Sequence, residues 1–87
     1  MALIATGEGL VPDCAGCYEA AGLYNGSTYY RRCDQAYFIW MAVMGYELSS
    51  ELGVETAAYW IREPAGGPLG SYFPYGTAEG IATISAP

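Results

Sequence analysis

The chain has 87 residues, 53% of them apolar, 15% aromatic and only 14% charged, and its formal net charge is −6, from nine carboxylates against three arginines with no Lys or His. This length gives a single domain, 1–87, with one modest core. The charge balance excludes binding of a nucleic-acid backbone, which needs a basic stripe, and disfavours anionic membrane surfaces; the longest apolar run, which contains 37–44, is far short of the ~20 residues a membrane-spanning helix needs.

Two further expectations come from composition. Charged residues make up about a quarter of an ordinary soluble domain, so a chain at 14% is expected to turn some apolar and aromatic surface toward another protein. The first residues, Met1 to Thr6, carry no basic group and too short an apolar stretch for a signal peptide, so synthesis in the cytoplasm is expected.

In chain order, residues 2–6 read as a short strand stopped by Gly7-Glu8-Gly9, and Val11-Pro12-Asp13 reads as a turn. Residues 17–21 and 27–33 read as a hairpin around Asn25-Gly26, because a type I′ turn needs positive φ at both central positions. Residues 36–43 are apolar on both faces: Tyr37, Ile39, Met41 and Val43 on one, Phe38, Trp40 and Ala42 on the other. Their aromatic and β-branched content favours a strand buried on both sides over the start of a helix. A short strand at 46–48 follows Gly45. Residues 49–55 have loop character, although Ser49-Ser50-Glu51-Leu52 could begin a helical turn. Residues 57–62 read as a strand. Residues 63–70, with two Pro and three Gly, read as irregular. Residues 71–75 contain Pro74 and are expected at a sheet edge, and 81–84 close the sheet. The fold class is therefore all-β: a small antiparallel meander forming a sandwich or partly open barrel of six to seven short strands.

Chemistry has few places to reside. Cys14-Ala15-Gly16-Cys17 is a close-spaced pair, with Cys33 as the third thiol. A structural zinc site takes four ligands, commonly two such pairs, and here neither a second pair nor any His exists. A redox pair of the thioredoxin kind needs a helix N-terminus in an α/β fold. Burial as small apolar residues and disulfide formation remain open. The hairpin would bring Cys33 close to Cys14 or Cys17, leaving one of the three for a neighbouring chain. With no His or Lys, the commonest general base and the amine nucleophile are missing. Glu47, Glu51 and Glu55 recur every four residues and would share a helical face, but they read more simply as a solvated acidic loop. Gly66-Gly67-Pro68-Leu69-Gly70 lacks the Lys and strand-to-helix context of a phosphate cradle. No catalytic residue, cofactor or metal is expected.

The aromatics remain. Tyr29-Tyr30, Tyr37-Phe38, Tyr59-Trp60 and Tyr72-Phe73-Pro74-Tyr75 set rings side by side, and strand neighbours point to opposite faces. One ring of each pair can enter the core and the other can face outward, where Tyr and Trp suit protein interfaces or sugar stacking. The candidate interface rings are Tyr30, Tyr59, Trp60, Tyr72, Phe73 and Tyr75. Tyr59, Trp60 and Tyr72 would form the platform if the partner were a carbohydrate.

Gly16-Cys17-Tyr18, Gly22-Leu23-Tyr24-Asn25-Gly26, Tyr29-Tyr30-Arg31-Arg32 and Tyr37-Phe38-Ile39-Trp40 together resemble a short β module. Its pattern is N-G-x-Y, a G-x-Y-N-G turn, two aromatic strands and W-x-I-S-x-x-L-G. Tyr46-Glu47-Leu48-Ser49-Ser50-Glu51-Leu52-Gly53 looks like the last element, with Tyr46 where Trp is usual, and Pro68-Leu69-Gly70-Ser71-Tyr72 resembles a closing P-x-G-x-W. Ala15-Gly16 departs from the pattern's Asn-Gly. Such modules occur in phage virion structural proteins and as repeats in large non-enzymatic proteins. The resemblance implies a non-catalytic, homo-oligomeric virion component, such as a capsid decoration protein bound to a larger protein lattice. A carbohydrate-binding module, or a zinc or redox domain on the cysteines, is the alternative.

Overall fold

Period-two burial marks the strands. Leu3 and Ala5 are buried while Ala2 and Ile4 are only partly covered, and Ala82 and Ile84 are buried between exposed Thr83 and Ser85. Side chains of a strand alternate between faces, so each segment offers one row to a common interior. The computed structural model describes residues 2–62 and 66–87. Among these, the strands are β1 (Ala2–Thr6), β2 (Gly16–Tyr24), β3 (Ser27–Arg32), β4 (Phe38–Met41), β5 (Tyr46–Ser49), β6 (Ala58–Ile61), β7 (Gly70–Gly76) and β8 (Ala82–Ser85). No helix occurs among the described residues. Part of the irregular segment expected at 63–70, Glu63 to Ala65, lies outside them.

Each strand pairs antiparallel with the next, and β1 pairs with β8, so the sheet closes into a barrel. The all-β, antiparallel expectation holds. The expected six to seven strands in a sandwich or partly open barrel give way to eight in a closed one. Closure comes from the pairing of Ala5 with Ile84 and Thr6 with Thr83, a contact between chain ends that local sequence pattern does not encode. Among the described residues every strand then has a neighbour on both sides, so no outer strand remains to template aggregation. It also corrects the expectation for Pro74. The β8 partners of β7 end at Tyr72, and Pro74 is paired with Trp60 of β6 only. Proline is therefore accommodated where one flank of the strand is already free, and an outer edge strand is not required.

Asn25 and Gly26 connect β2 and β3 with φ of 52° and 78°. Both are left-handed, as a type I′ turn demands. The interior is filled by Leu3, Tyr18, Tyr30, Ile39, Leu48, Trp60, Tyr72 and Ile84, with smaller Ala5, Cys14 and Ala82 between them. The large rings bury their polar tips on backbone carbonyls. The Tyr18 hydroxyl donates to Cys14 O at 2.6 Å and the Tyr72 hydroxyl to Pro68 O at 2.6 Å, each four residues back. Trp60 Nε1 donates to Gly80 O at 2.9 Å. Each ring thus packs the core and ties down the loop feeding a strand, which removes the cost of an unpaired buried donor.

Candidate interaction surface

At one end of the barrel, Cys17 and Cys33 face each other across the last pairing of β2 and β3. Cys33 N donates to Cys17 O at 2.9 Å, and the two residues form a disulfide with Cα atoms 5.7 Å apart. Cys14 is free and buried, and burial pushes its thiol up to about 12. It is thus enclosed, which corrects the expectation of a spare thiol offered to a neighbouring chain. With Cys17 and Cys33 joined, no group of three or more His, Cys, Asp or Glu side chains placed to hold a metal occurs among the described residues.

A shallow cleft of about 440 Å³ beside the disulfide is lined by Asp13, Arg32 and Asp34. Its one cation is fully engaged. Arg32 makes a two-pronged ion pair with Asp34 at 2.8 Å on both oxygens, donates to Asp13 O and Ala15 O, and lies 4.7 Å from the Tyr37 ring centre. The guanidinium contact in turn lowers the Asp34 carboxyl. Arg32 therefore works as a clamp joining residues 13–15, the turn after β3 and Tyr37.

The proposed interface rings divide between the two faces. Trp60 and Tyr72 are wholly buried and Tyr30 nearly so, so these three belong to the core. Trp60 and Tyr72 are therefore also lost to a sugar platform. The cause is parity: Trp60 lies in one inward row with Ile39 and Leu48 through the β4–β5–β6 register. Their neighbours go outward. Phe73 and Tyr75 are exposed, and Tyr59 stacks on Tyr75 with ring centres 5.6 Å apart and planes 15° off parallel.

The outward register extends this surface across four strands. Trp40 pairs with Glu47, Glu47 with Ile61, and Ile61 with Phe73. These four side chains share the outer side of β4–β7, where Trp40 and Glu47 are covered, Ile61 is half-buried and Phe73 is exposed. β5 is buried on both faces because the chain after it folds back over its outer side. Ser49 accepts a hydrogen bond from Trp40 Nε1 at 3.0 Å and donates to Glu51 O at 2.8 Å. Glu51 and Val54 then form a bridge, and Gly53 reaches the Tyr24 ring, which meets Trp40 edge-on at 5.8 Å. Neither a helical turn nor a shared helical face for Glu47, Glu51 and Glu55 forms. Glu47 lies on β5, only 3% exposed, whereas Glu51 and Glu55 are exposed in the covering loop.

Between this loop and the β4–β5 turn lies a second cleft, of about 420 Å³, with Trp40 and Glu47 at its base and Val43, Met44, Val54 and Glu55 around it. Val43 is 95% and Met44 62% exposed, although 36–43 reads as one doubly buried strand. Only Phe38–Met41 is strand, and the apolar run continues past its end into the turn. The tyrosine side of the surface joins this cleft electrically. Burial raises the Tyr59 hydroxyl, and Glu55, Glu47 and Tyr75 raise it further.

No family model, curated protein or solved structure matches the chain. Its surface must therefore be read from its own residues. Sequence reasoning found Tyr59, Phe73 and Tyr75, but missed Val43, Met44 and Val54 as exposed groups and Glu47 as a buried one. The Gly45 turn signal directly after Met44 was the available clue to the first pair. Nothing local marks the burial of Glu47, which depends on a loop several residues downstream.

Proposed function

We propose that this chain is a non-catalytic interaction protein, a small phage virion component such as a capsid decoration protein, made in the host cytoplasm and assembled on a larger protein lattice or with copies of itself. The observation that carries this reading is the group of large apolar side chains left exposed on the outside, Val43, Met44 and Val54 around one cleft and Phe73 and Tyr75 on β7, on a barrel whose inside is already filled. Apolar surface grouped in this way is characteristic of protein contacts. The virion assignment itself rests on the resemblance of the Gly22-to-Gly26 turn, the aromatic strands and Tyr46-to-Gly53 to phage structural modules.

Strands of four to nine residues mostly fall below the ~9–11 a membrane barrel uses, which favours a protein partner over a bilayer. Carbohydrate binding is less well supported, because two of its three platform rings are interior and the third stacks on Tyr75.

Quantitative mass spectrometry of purified virions, together with sedimentation velocity of the free chain and its Phe73→Ser variant, tests the proposal. The chain is expected as a stoichiometric virion component, with any self-association weakened by the substitution. A strict monomer that is absent from virions and binds glycans saturably would overturn it.

A further inference from the structure

We infer that the cleft between the β4–β5 turn and the loop after β5 receives a basic side chain, Lys or Arg, carried on an apolar segment of a partner protein. This rests on the reading of the chain as an interaction protein and adds the chemistry of what it grips.

Two features on the same cleft define the occupant. The lip is apolar: on one side Val43 stands almost free of the fold and Met44 is exposed, and Val54 is exposed on the other. The interior is acidic, with Glu47 at the base and Glu55 on the wall, and no Arg lines it. A purely apolar partner would set hydrocarbon against the exposed Glu55 carboxylate, at a desolvation cost. An acidic or neutral polar partner would waste the lip. A Lys or Arg side chain satisfies both, since its methylene stem covers apolar walls while its charged head reaches the carboxylates. Low-dielectric walls focus the negative potential through the mouth. The volume of about 420 Å³ holds one long side chain and part of its neighbours, not a folded element.

Charge also argues against a second copy as occupant. At −6, with nine carboxylates to three arginines, two copies repel. Of the three arginines, Arg32 is held by Asp34 and two carbonyls in its own barrel and only Arg31, on β3, is exposed, so a second copy has little basic surface to offer. A partner richer in Lys and Arg is the complementary surface.

The experiment titrates the intact ¹⁵N-labelled protein with a capped peptide carrying one Arg between two Leu, and with the same peptide carrying neutral citrulline instead. Saturable binding of the Arg peptide is expected, with shift changes confined to residues 42–47 and 53–55 and little binding of the citrulline peptide. Val43→Ser and Glu55→Gln should each weaken binding by about fivefold or more, whereas Glu19→Gln, an exposed charge on β2 outside the cleft, should change it by less than about twofold. Because Val43 and Glu55 are exposed, both variants are expected to fold, and their amide spectra check this. Equal weakening by Glu19→Gln and Glu55→Gln would reveal only diffuse attraction and would overturn the inference. So would shifts elsewhere, the absence of saturation, or burial of the cleft in a dimer of this chain. Absence from virions would refute the proposed function while leaving the peptide result standing, so the two failures are distinguishable.

Discussion

Removing the Cys17–Cys33 disulfide should cost this barrel a large share of its stability without changing its shape. The bridge closes a segment with a sequence separation of 16, and cross-linking a loop of roughly 15 residues restricts the unfolded chain by about 3 kcal/mol. Little else is lost. Both cysteines are exposed, so no core contact goes with them, and the Cys33 N to Cys17 O bond does not need the sulfurs. Domains are stable by roughly 0.05–0.15 kcal/mol per residue, on the order of 4–13 kcal/mol for a chain of this length. The loss is therefore between about a quarter and three quarters of the total. Urea unfolding of the Cys17→Ser/Cys33→Ser double variant, followed by tryptophan fluorescence, should show a drop of about 3 kcal/mol, and thermal melting a fall on the order of 15 °C. Thiol titration of the wild type should find no reactive group when native, since Cys14 is enclosed, and one when unfolded. A loss under about 1 kcal/mol would refute the loop-entropy argument, and three titratable thiols in the unfolded wild type would refute the disulfide itself.

Other perturbations probe different parts of the fold. Gly26→Val should destabilise by about 1–2 kcal/mol through left-handed backbone strain alone, because a Cβ there would meet no neighbouring atom; a neutral result in urea unfolding would contradict the type I′ turn. Gly53→Ala should unseat the Tyr24 ring, which a Cβ at that position would overlap, and alter Trp40 fluorescence while leaving Trp60 in the core. Unchanged emission would mean the loop does not hold that contact. Trp60→Ala should cost about 3–5 kcal/mol and release the Gly80 carbonyl, a loss read from the melting curve. Alkaline pH provides a final check, since burial raises the Tyr18 and Tyr72 hydroxyls well above the ordinary tyrosine value of about 10. The unfolded chain then releases protons that the native one retains, so stability should be intact below about pH 10 and fall above it. Absorbance at 295 nm should show these two rings ionising only as the protein unfolds, and their titration near pH 10 in a still-folded protein would refute their burial.

Much of the local structure follows directly from residue types. Asn25-Gly26 specifies a tight turn because few residues other than Gly and Asn enter the left-handed region without strain, and the alternation in 2–6 or 82–85 specifies strands because side chains change face at each step. The all-β class, the hairpin and the approach of Cys33 to the first cysteine pair follow from those local preferences, and so does the split of adjacent rings between two faces.

What the residues alone left open is which face became the inside, and that is a property of the closed barrel. Trp60 is interior and Tyr59 exterior because β6 is held in register between β5 and β7, and a shift of one residue would exchange them. The choice between Cys14 and Cys17 as partner for Cys33 was likewise set by the β2–β3 register, which sends one sulfur to the rim and seals the other beneath it. Closure itself required β1 to meet β8 across nearly the whole chain, and Glu47 became buried only when the loop after β5 folded back over it. Such contacts join residues distant in sequence and gain their energy only after the ends have been brought together, so a short window of residues cannot announce them.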